Sequence, residues 1–477
     1  MSETAAISEP LWHWPDLVAA TQGAADGEPA VPITGFSIDS RDLAPGDVFV
    51  ALRDTRDGHA FVRAAFEAGA AAALVARDYR REDLAGALLR VDDTLQALVA
   101  IGRVARVRTA ARIVAVTGSV GKTGTKEMLR LALSQAGATH AAERSYNNHW
   151  GVPLTLARMP QESAYGVFEI GMNHAGEITP LAQMVRPHVA VITTVEPVHL
   201  GQFPSVEAIA EAKSEIFAGL VPNGTAVLPR DNPHFALLRE RASAVGAKIV
   251  TFGYHEEADF RGLQVDLGPK GSSVIAGSGS QRFPYRVGAP GEHYVKNSLA
   301  VLAVLSALGA DAMRCLPALA RVSAPAGRGA RTQLDHPDGP ILLIDESYNA
   351  NPASVRAALA TMAATPREDF PRRVAVLGDM LELGDASEAL HRGLKDAVEA
   401  AGVDLVLACG PMMQLLHEDL APAKRGGWAP TSADLLPQLI GAVRAGDVVM
   451  IKGSLGTRMA PLVAGLVARH GPGRPGG

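Results

Sequence analysis

A glycine-rich turn between an apolar run and a helix-like run is the first place where this sequence could do chemistry. From position 114 the chain reads VAVTGSVGKTGTKEML, with Gly121, Lys122 and Thr123 at the end of the turn. Backbone N–H groups of such a turn, with a helix N-terminus behind them, bind phosphates. The lysine supplies a positive charge and the threonine a hydroxyl for Mg²⁺. The usual spacing puts a glycine at position 116, but this chain has Val116 there and its first glycine is Gly118. The context still predicts a phosphate loop rather than a plain glycine-rich turn.

Carboxylates end two other apolar runs. Glu169 ends YGVFE, and Asp345 ends ILLID. In an open α/β sheet the carboxyl ends of the strands form the edge at which ligands bind. We therefore expect both side chains at a ligand-binding edge.

The elements that position these residues alternate between strand and helix patterns in three blocks. Most strand patterns are apolar throughout, as in HVAVITTV, GTAVLPR and RVAVLG, which is typical of a parallel sheet covered by helices on both faces. A Pro/Gly-rich link, SAPAGRGAR, separates the second block from the third. The pattern predicts an α/β protein of three domains, at residues 1–108, 109–325 and 326–477.

Composition excludes several classes of protein. The 477 residues carry a formal net charge of -5, so the chain lacks the excess of positive charge that is typical of nucleic-acid-binding proteins. The two cysteines, Cys315 and Cys409, form no C-x-x-C pair or disulfide framework, and the N-terminus has no secretory pattern. Because no apolar run reaches the roughly 18 residues of a membrane span, we expect a cytoplasmic protein with no stable membrane insertion.

The loop TGSVGKT resembles the T-G-[ST]-x-G-K-[ST] loop of the Mur ligase family. The resemblance implies that the absence of a glycine at Val116 is a trait of this family. FSIDSRDLAPGDVFVAL, NNHWGVPLTL, FEIGMNHAGEI, IDESYNANPASVRAAL and VLGDMLELG are similar to the MurF branch. The resemblance implies an N-terminal nucleotide-sugar-binding domain, a central P-loop ATPase-like domain with a parallel sheet, and a C-terminal Rossmann-like domain.

The same resemblance implies an ATP-dependent carboxylate–amine ligase that acts in peptidoglycan precursor synthesis. It would add D-alanyl-D-alanine to UDP-N-acetylmuramoyl-tripeptide through an acyl phosphate, with ATP and Mg²⁺ as cofactors. The family is generally monomeric. Carbamylation of Lys213 would convert its cation into an anionic oxygen ligand, which suits Mg²⁺.

The resemblance to the family also implies which residues of this sequence form the site. The catalytic residues implied are Lys122, Lys213 and His199. The implied ATP contacts are Gly118, Ser119, Val120, Gly121, Lys122, Thr123, Gly124, Asn297, Arg328 and Asp345. The implied metal ligands are Thr123, Glu169 and His199, with Glu196 as the alternative to the histidine. The implied substrate contacts are Ser40, Arg41, Asn349 and Asn351.

Simpler interpretations stay open for several of these residues. Asn297 could cap a helix that starts at NSLAVLAVL, NANP is a good turn sequence, and Lys213 could be a solvated helix residue. Arg331 lies close enough to Arg328 to take its role. In KGSLGTRM, Leu455 stands where the family often has arginine, and Arg458 is the candidate to replace it.

Three other functions are also open. One is a different amide ligase of the same superfamily, of the MurE type or a folylpolyglutamate synthase. A P-loop ATPase or kinase would transfer phosphate without forming an amide. A non-catalytic nucleotide-binding module is disfavoured by the number of matching site residues.

Overall fold

Three separate sheets organise the chain. The structure, a computed structural model, describes residues 9–81, 85–198 and 200–471. Each sheet takes its strands from one of the three predicted segments, in the orders β1-β5-β4-β3-β2, β14-β13-β12-β11-β10-β9-β6-β8-β7 and β15-β16-β20-β17-β18-β19. The predicted α/β class with three sheet-containing regions is confirmed, while the boundaries at 108/109 and 325/326 stay a prediction.

The first sheet is parallel except for its edge strand β1, which pairs antiparallel with β5. The elements of this segment are α1 Trp14–Thr21, β1 Ala24–Asp26, β2 Gly35–Ser37, β3 Asp47–Val50, α2 Val62–Glu67, β4 Ala72–Ala76, β5 Ala87–Val91 and α3 Thr94–Arg108.

The central sheet runs parallel from β7 to β12 and ends in an antiparallel extension, β13 and β14. Its elements are β6 Arg112–Thr117, α4 Lys122–Leu133, β7 Thr139–Ala141, α5 Gly151–Ala157, β8 Tyr165–Glu169, α6 Ile178–Val185, β9 Val189–Ile192, α7 Val206–Ser214, β10 Thr225–Pro229, α8 Phe235–Ala244, β11 Lys248–Gly253, β12 Phe260–Gly268, β13 Gly271–Ser278, β14 Gln281–Val287, α9 Glu292–Leu308 and α10 Ala312–Cys315.

The third sheet is parallel except for β15, which forms a hairpin with β16. Its elements are β15 Ala330–His336, β16 Gly339–Glu346, α11 Pro352–Ala363, β17 Arg372–Gly378, α12 Ser387–Arg392, α13 Lys395–Ala400, β18 Leu405–Cys409, α14 Pro411–Asp419, β19 Arg425–Ala429, α15 Ser432–Ala442, β20 Asp447–Lys452 and α16 Ala460–His470. The run SEALHRGLKDAVEAAG, predicted as one helix, is broken at Gly393 into α12 and α13. Glycine is a poor residue for a helix interior, so the break has a local cause.

The first and central sheets share one apolar core. Buried side chains run without a gap from Trp12 and Leu98 to Val152 and Leu156 on α5. The Trp12 indole N–H donates to the Ala157 carbonyl at 2.8 Å. These two domains are therefore packed together rather than joined by a free linker.

We expect loss of the buried ion pair in the third sheet to destabilise that domain. Asp447 is fully buried and accepts from Arg372 Nε at 2.7 Å and Nη2 at 2.6 Å. Asp447→Ala leaves the Arg372 charge with only the Ala442 carbonyl as a partner, so the free energy of unfolding of this domain should fall by about 3–5 kcal/mol. Urea denaturation, monitored by hydrogen exchange of the third-sheet amides, measures this free energy of unfolding. Glu388→Ala, which removes an exposed partner of Arg392, is the control and should cost about 0.5 kcal/mol or less.

Candidate active site

The phosphate loop lies between the end of β6 and the start of α4. Val116 is still inside β6, level with Glu169 on one neighbouring strand and Val191 on the other, so a glycine at that position is not needed. Gly118 has φ +149°, and a Cβ there would lie 1.9 Å from Thr193 Oγ1. Gly121 has φ +85°, and its Cβ would lie 2.8 Å from Asn297 Oδ1. Both close contacts require glycine.

Lys122 is the first residue of α4, and its side chain lies over the loop. Its Nζ donates to the Gly118 carbonyl at 2.7 Å. Burial lowers the pKa of Lys122; the carboxylate of Glu169 opposes this shift, and the Arg328 guanidinium adds to it. The lysine thus stands between an acidic and a basic side chain at the mouth of the loop.

Glu169, at the end of β8, is a buried carboxylate held from two sides. Only 2% of it is exposed. Thr123 Oγ1 donates to its Oε2 at 2.9 Å, and Asn147 Nδ2 donates to its Oε1 at 2.7 Å. The structure therefore brings together the predicted metal ligands Thr123 and Glu169.

The segment that follows β9 also reaches the loop. The Glu196 carboxylate accepts a hydrogen bond from Thr194 Oγ1 at 2.9 Å. The backbone N–H of Glu196 donates to Ser119 Oγ at 2.9 Å, and Ser119 Oγ donates to the Glu196 carbonyl at 3.0 Å. The predicted metal ligand His199 lies outside the described residues. Glu196 itself lines the cleft described below.

Lys213 is buried in α7 and is not a solvated helix residue. Only 2% of it is exposed. Burial lowers its pKa well below the usual range, and the positive charge of Lys122 lowers it further. Within residues 9–81, 85–198 and 200–471 its Nζ makes no hydrogen bond or ion pair, so both its burial and the Lys122 charge favour the uncharged amine.

A cleft of about 930 Å³ separates the phosphate loop from the third domain. Predicted site residues that line it are Ser119, Val120, Gly121, Lys122, Gly124, Glu169, Asn297, Arg328, Asn349 and Asn351. Predicted site residues that do not line it are Gly118, Thr123, Lys213, Asp345, Ser40 and Arg41. The cleft therefore gathers most of the predicted ATP contacts and two of the predicted substrate contacts.

The two arginines of the domain link have different positions. Arg328 lines the cleft, lies 4.0 Å above the Tyr348 ring, and has Nη2 3.3 Å from Ser145 Oγ. Arg331 donates to the Pro269 and Thr361 carbonyls instead. Only Arg328 can reach a ligand in the cleft from its present position.

Asp345 organises the same link. Its Oδ2 accepts from Gly327 N at 2.8 Å, and its Oδ1 accepts from Ser347 Oγ at 2.6 Å. In this structure its carboxylate therefore fixes the backbone at the junction of the central and third domains.

The interpretation of Asn297 as a helix N-cap is wrong. Helix α9 begins at Glu292, so Asn297 lies in its second turn, where its side chain packs against Gly121 of the phosphate loop. Burial of Tyr294 in the first turn of α9 was not apparent from the sequence.

The two asparagines of NANP differ. Asn351 is the N-cap of α11: its Oδ1 accepts from Ser354 N at 2.9 Å, and the Ser354 hydroxyl accepts from Asn351 N at 3.0 Å. Its side chain is thus used in capping. Asn349 is exposed to the cleft, and its carbonyl accepts from Lys452 Nζ at 3.0 Å.

Ser40 and Arg41 lie on the first domain, away from the cleft. Arg41 is 83% exposed, and its hydrogen bonds to Asp39 lower the pKa of that carboxyl to about 2. The adjacent Asp42 pairs with Arg144 of the central domain at 2.7 Å.

Arg458 does not take the place of the missing arginine. Leu455, 66% exposed, lines the cleft, whereas Arg458 lines a neighbouring pocket of about 530 Å³ with Asp379 and Cys409. Arg458 follows a short turn and has a left-handed backbone, with φ +52°. That turn directs the residue away from the cleft.

Sequence reasoning missed Ser145 and Asn147, which contact Thr123 and Glu169. The two asparagines of YNNHWG could have indicated these contacts. They follow the short strand β7, and polar residues after a parallel strand lie at the carboxyl edge of the sheet.

Within the described residues no group of three or more His, Cys, Asp or Glu side chains converges as a metal site. A nucleotide-bound Mg²⁺ takes only one or two carboxylates, the rest of its ligands being phosphates and waters, so Glu169 with the Thr123 hydroxyl fits this ion. Both cysteines are free and buried. None of the helices described is long and apolar enough to span a bilayer.

Comparison with known proteins gives the family. Residues 116–305 match the Mur ligase middle domain, and residues 330–455 match the Mur ligase, glutamate ligase domain. A UDP-N-acetylmuramoyl-tripeptide–D-alanyl-D-alanine ligase from Escherichia coli is 36% identical over 85% of this chain and 86% of its own length. The chain belongs to the Mur ligase family.

Solved structures of this family have the same fold. MurF from Acinetobacter baumannii matches 96% of this chain and 99% of its own, at 33% identity and a TM-score of 0.81. MurF ligase from Thermotoga maritima, solved in complex with ADP, matches 91% of this chain and 97% of its own, at 26% identity and a TM-score of 0.74. Within the family, this Mur ligase is thus similar to MurF proteins over nearly its whole length.

Proposed function

We propose that this Mur ligase uses ATP to join D-alanyl-D-alanine to UDP-N-acetylmuramoyl-tripeptide in peptidoglycan precursor synthesis. The observation that carries the proposal is the cleft in which the phosphate loop faces the NANP segment of the third domain. Its relatives at 36% identity, from Escherichia coli and Synechocystis, bear the name of this ligase.

The proposed reaction needs a carboxylate to attack a phosphate, so two anions must approach each other. Lys122 and Arg328, which both line the cleft, offset this repulsion and hold the γ-phosphate in place. The tripeptide carboxylate forms a bond to phosphorus as the bond to ADP breaks. The dipeptide amine then attacks the acyl carbon and phosphate leaves.

Glu169 and the Thr123 hydroxyl would hold Mg²⁺, with His199 or Glu196 at the next strand exit. The ion, when bound, neutralises charge on the β- and γ-phosphates. The lowered pKa of Lys213 fits carbamylation, because burial favours the uncharged amine, whose lone pair must add to CO₂ with loss of one proton. We place the nucleotide sugar at Ser40 and Arg41, ATP also at Asn297 and Asp345, and the peptide substrate at Asn349 and Asn351.

A coupled assay tests the proposed activity. ADP and phosphate should appear only when ATP, UDP-tripeptide and D-alanyl-D-alanine are all present, and the amide product should have the mass of the UDP-pentapeptide. Release of ADP without the dipeptide would instead favour a P-loop ATPase or kinase. Parallel assays with tripeptides ending in diaminopimelate or lysine identify the acceptor.

We expect ligands to close the protein at the link near Gly327. Nucleotide and dipeptide contacts lie on two domains, and reacting atoms must come within about 3–3.5 Å. One hydrogen bond that now joins these domains, from Gly201 N to Glu382 O at 2.9 Å, would rearrange on closure. The boundary between the first and central domains is a poor candidate for a further hinge, because Arg108 stacks 3.7 Å over Trp12 beside the shared core.

Small-angle scattering with an ATP analogue and UDP-tripeptide measures this closure. The radius of gyration should fall with both ligands and change little with either alone. An unchanged radius, with binding verified by calorimetry, would rule the closure out.

A further inference from the structure

The carboxylate of Glu169 depends on a neighbour that the sequence alone did not assign. Each of its oxygens has one donor: the Thr123 hydroxyl at 2.9 Å on Oε2 and the Asn147 amide at 2.7 Å on Oε1. A cation bound at this carboxylate can replace the contact with the hydroxyl. The contact with Asn147 lies on the other oxygen and can persist.

Asn147 is itself held tightly in place. Its carbonyl accepts from Gly171 N at 2.8 Å, and its own N–H donates to the Ser145 carbonyl at 3.0 Å. A Cβ at Gly171 would lie 3.0 Å from Asn147 Cγ, so this glycine gives the amide its room. Asn147 also lines the cleft.

A buried lysine fixes the start of the same segment. Lys126 on α4 is fully buried, forms an ion pair with Glu127 at 2.8 Å, and donates to the Ala142 carbonyl. Three residues further along, Ser145 Oγ lies 3.2 Å from Thr123 Oγ1. The segment 142–147 is thus anchored to the phosphate-loop helix at one end and touches both Thr123 and Glu169 at the other.

We propose that Asn147 is a positioning residue that holds the Glu169 carboxylate in the orientation needed to bind the divalent cation of the nucleotide complex. This inference rests on the proposed function. The amide N–H keeps one carboxylate oxygen fixed, so the other faces the phosphate loop before the cation arrives. Removing a partner that orients a metal ligand typically lowers metal affinity or activity 10- to 100-fold.

Calorimetry with a non-hydrolysable ATP analogue tests the proposal without turnover. Affinity is measured with Mg²⁺ and with EDTA, and the ratio of the two is the Mg²⁺ enhancement. Asn147→Leu keeps about the volume of the side chain but loses the donor; Asn147→Ala loses both. Each should lower the enhancement at least tenfold while leaving the affinity in EDTA within about twofold of wild type. Merely structural damage would lower both affinities together.

The matched control is Asn148→Ala, at the next position. Asn148 Oδ1 accepts from Gly151 N at the start of α5 and has no contact with Glu169. Its Mg²⁺ enhancement should equal that of wild type. Gly171→Ala crowds Asn147 without removing its amide and should give a smaller loss in the same direction. Circular dichroism verifies that each variant is folded.

Two results would overturn the inference, and they differ. Wild-type enhancement in folded Asn147→Leu shows that Asn147 does not position the carboxylate. Absence of any Mg²⁺ enhancement in the wild-type protein removes the metal site itself, and with it this part of the proposed function.

Discussion

Lys122→Met should lose nearly all ligase turnover, with kcat falling about 100- to 1000-fold. The reason is that the Lys122 charge acts on phosphate oxygens whose charge changes in the transition state, so kcat should fall by more than KM for ATP rises. Lys122 Nζ lies 2.7 Å from the Gly118 carbonyl at the mouth of the loop. Steady-state kinetics with saturating UDP-tripeptide and dipeptide measure both constants.

Two companion variants separate charge from shape. Lys122→Ala removes both and should be at least as impaired as Lys122→Met. Lys122→Arg keeps the charge but misplaces it, and should retain more activity than either. Near-normal kcat in folded Lys122→Met would contradict the phosphate-loop assignment, whatever the effect on KM.

The strand, turn and helix of the proposed phosphate loop were predictable because their sequence signals are local. Strand, glycines, lysine and helix are consecutive in the sequence, and Val116 could be placed in the strand by its apolar neighbours. The alternation of apolar strands and helices likewise predicted the α/β class. These signals come from hydrogen bonding and burial within a few residues.

What the sequence could not supply is contact between distant segments. Asn147 reaches Glu169 because β7 and β8 are neighbours in the central sheet, and Arg328 reaches Ser145 across the junction of the central and third domains. The start of α9 was misplaced because the apolar run after Asn297 is more regular than the mixed GEHYVK turn before it. The break at Gly393 was missed for the opposite reason, since the helical pattern continues through it.

The position of Arg458 illustrates a third limit. In sequence it stands three residues from Leu455, close enough to serve the same ligand. The turn from Leu455 to Thr457 and the left-handed backbone of Arg458 carry it to another pocket. Whether two neighbours face one site is decided by backbone geometry that composition does not encode.

Lys213→Ala should be nearly inactive and should recover part of its activity when small carboxylates such as formate or acetate are added. Lys213 is 2% exposed, and burial together with the charge of Lys122 lowers its pKa well below the usual range. A neutral amine can add to CO₂, whereas an ammonium cannot, so the shift favours a carbamate near neutral pH. The carbamate would supply the anionic oxygens that the alanine variant lacks.

Three measurements check this expectation. Wild-type enzyme incubated with ¹³C-labelled bicarbonate should show a carbamate carbon resonance that is absent from Lys213→Ala. Rescue should saturate with carboxylate concentration and should not occur with chloride at equal ionic strength. Lys395→Ala, which removes an exposed lysine of the third domain, is the control and should keep both the resonance and full activity. Electron density for an unmodified Lys213 amine in an active nucleotide complex would refute the carbamate, because the buried amine would then have no role as an oxygen ligand.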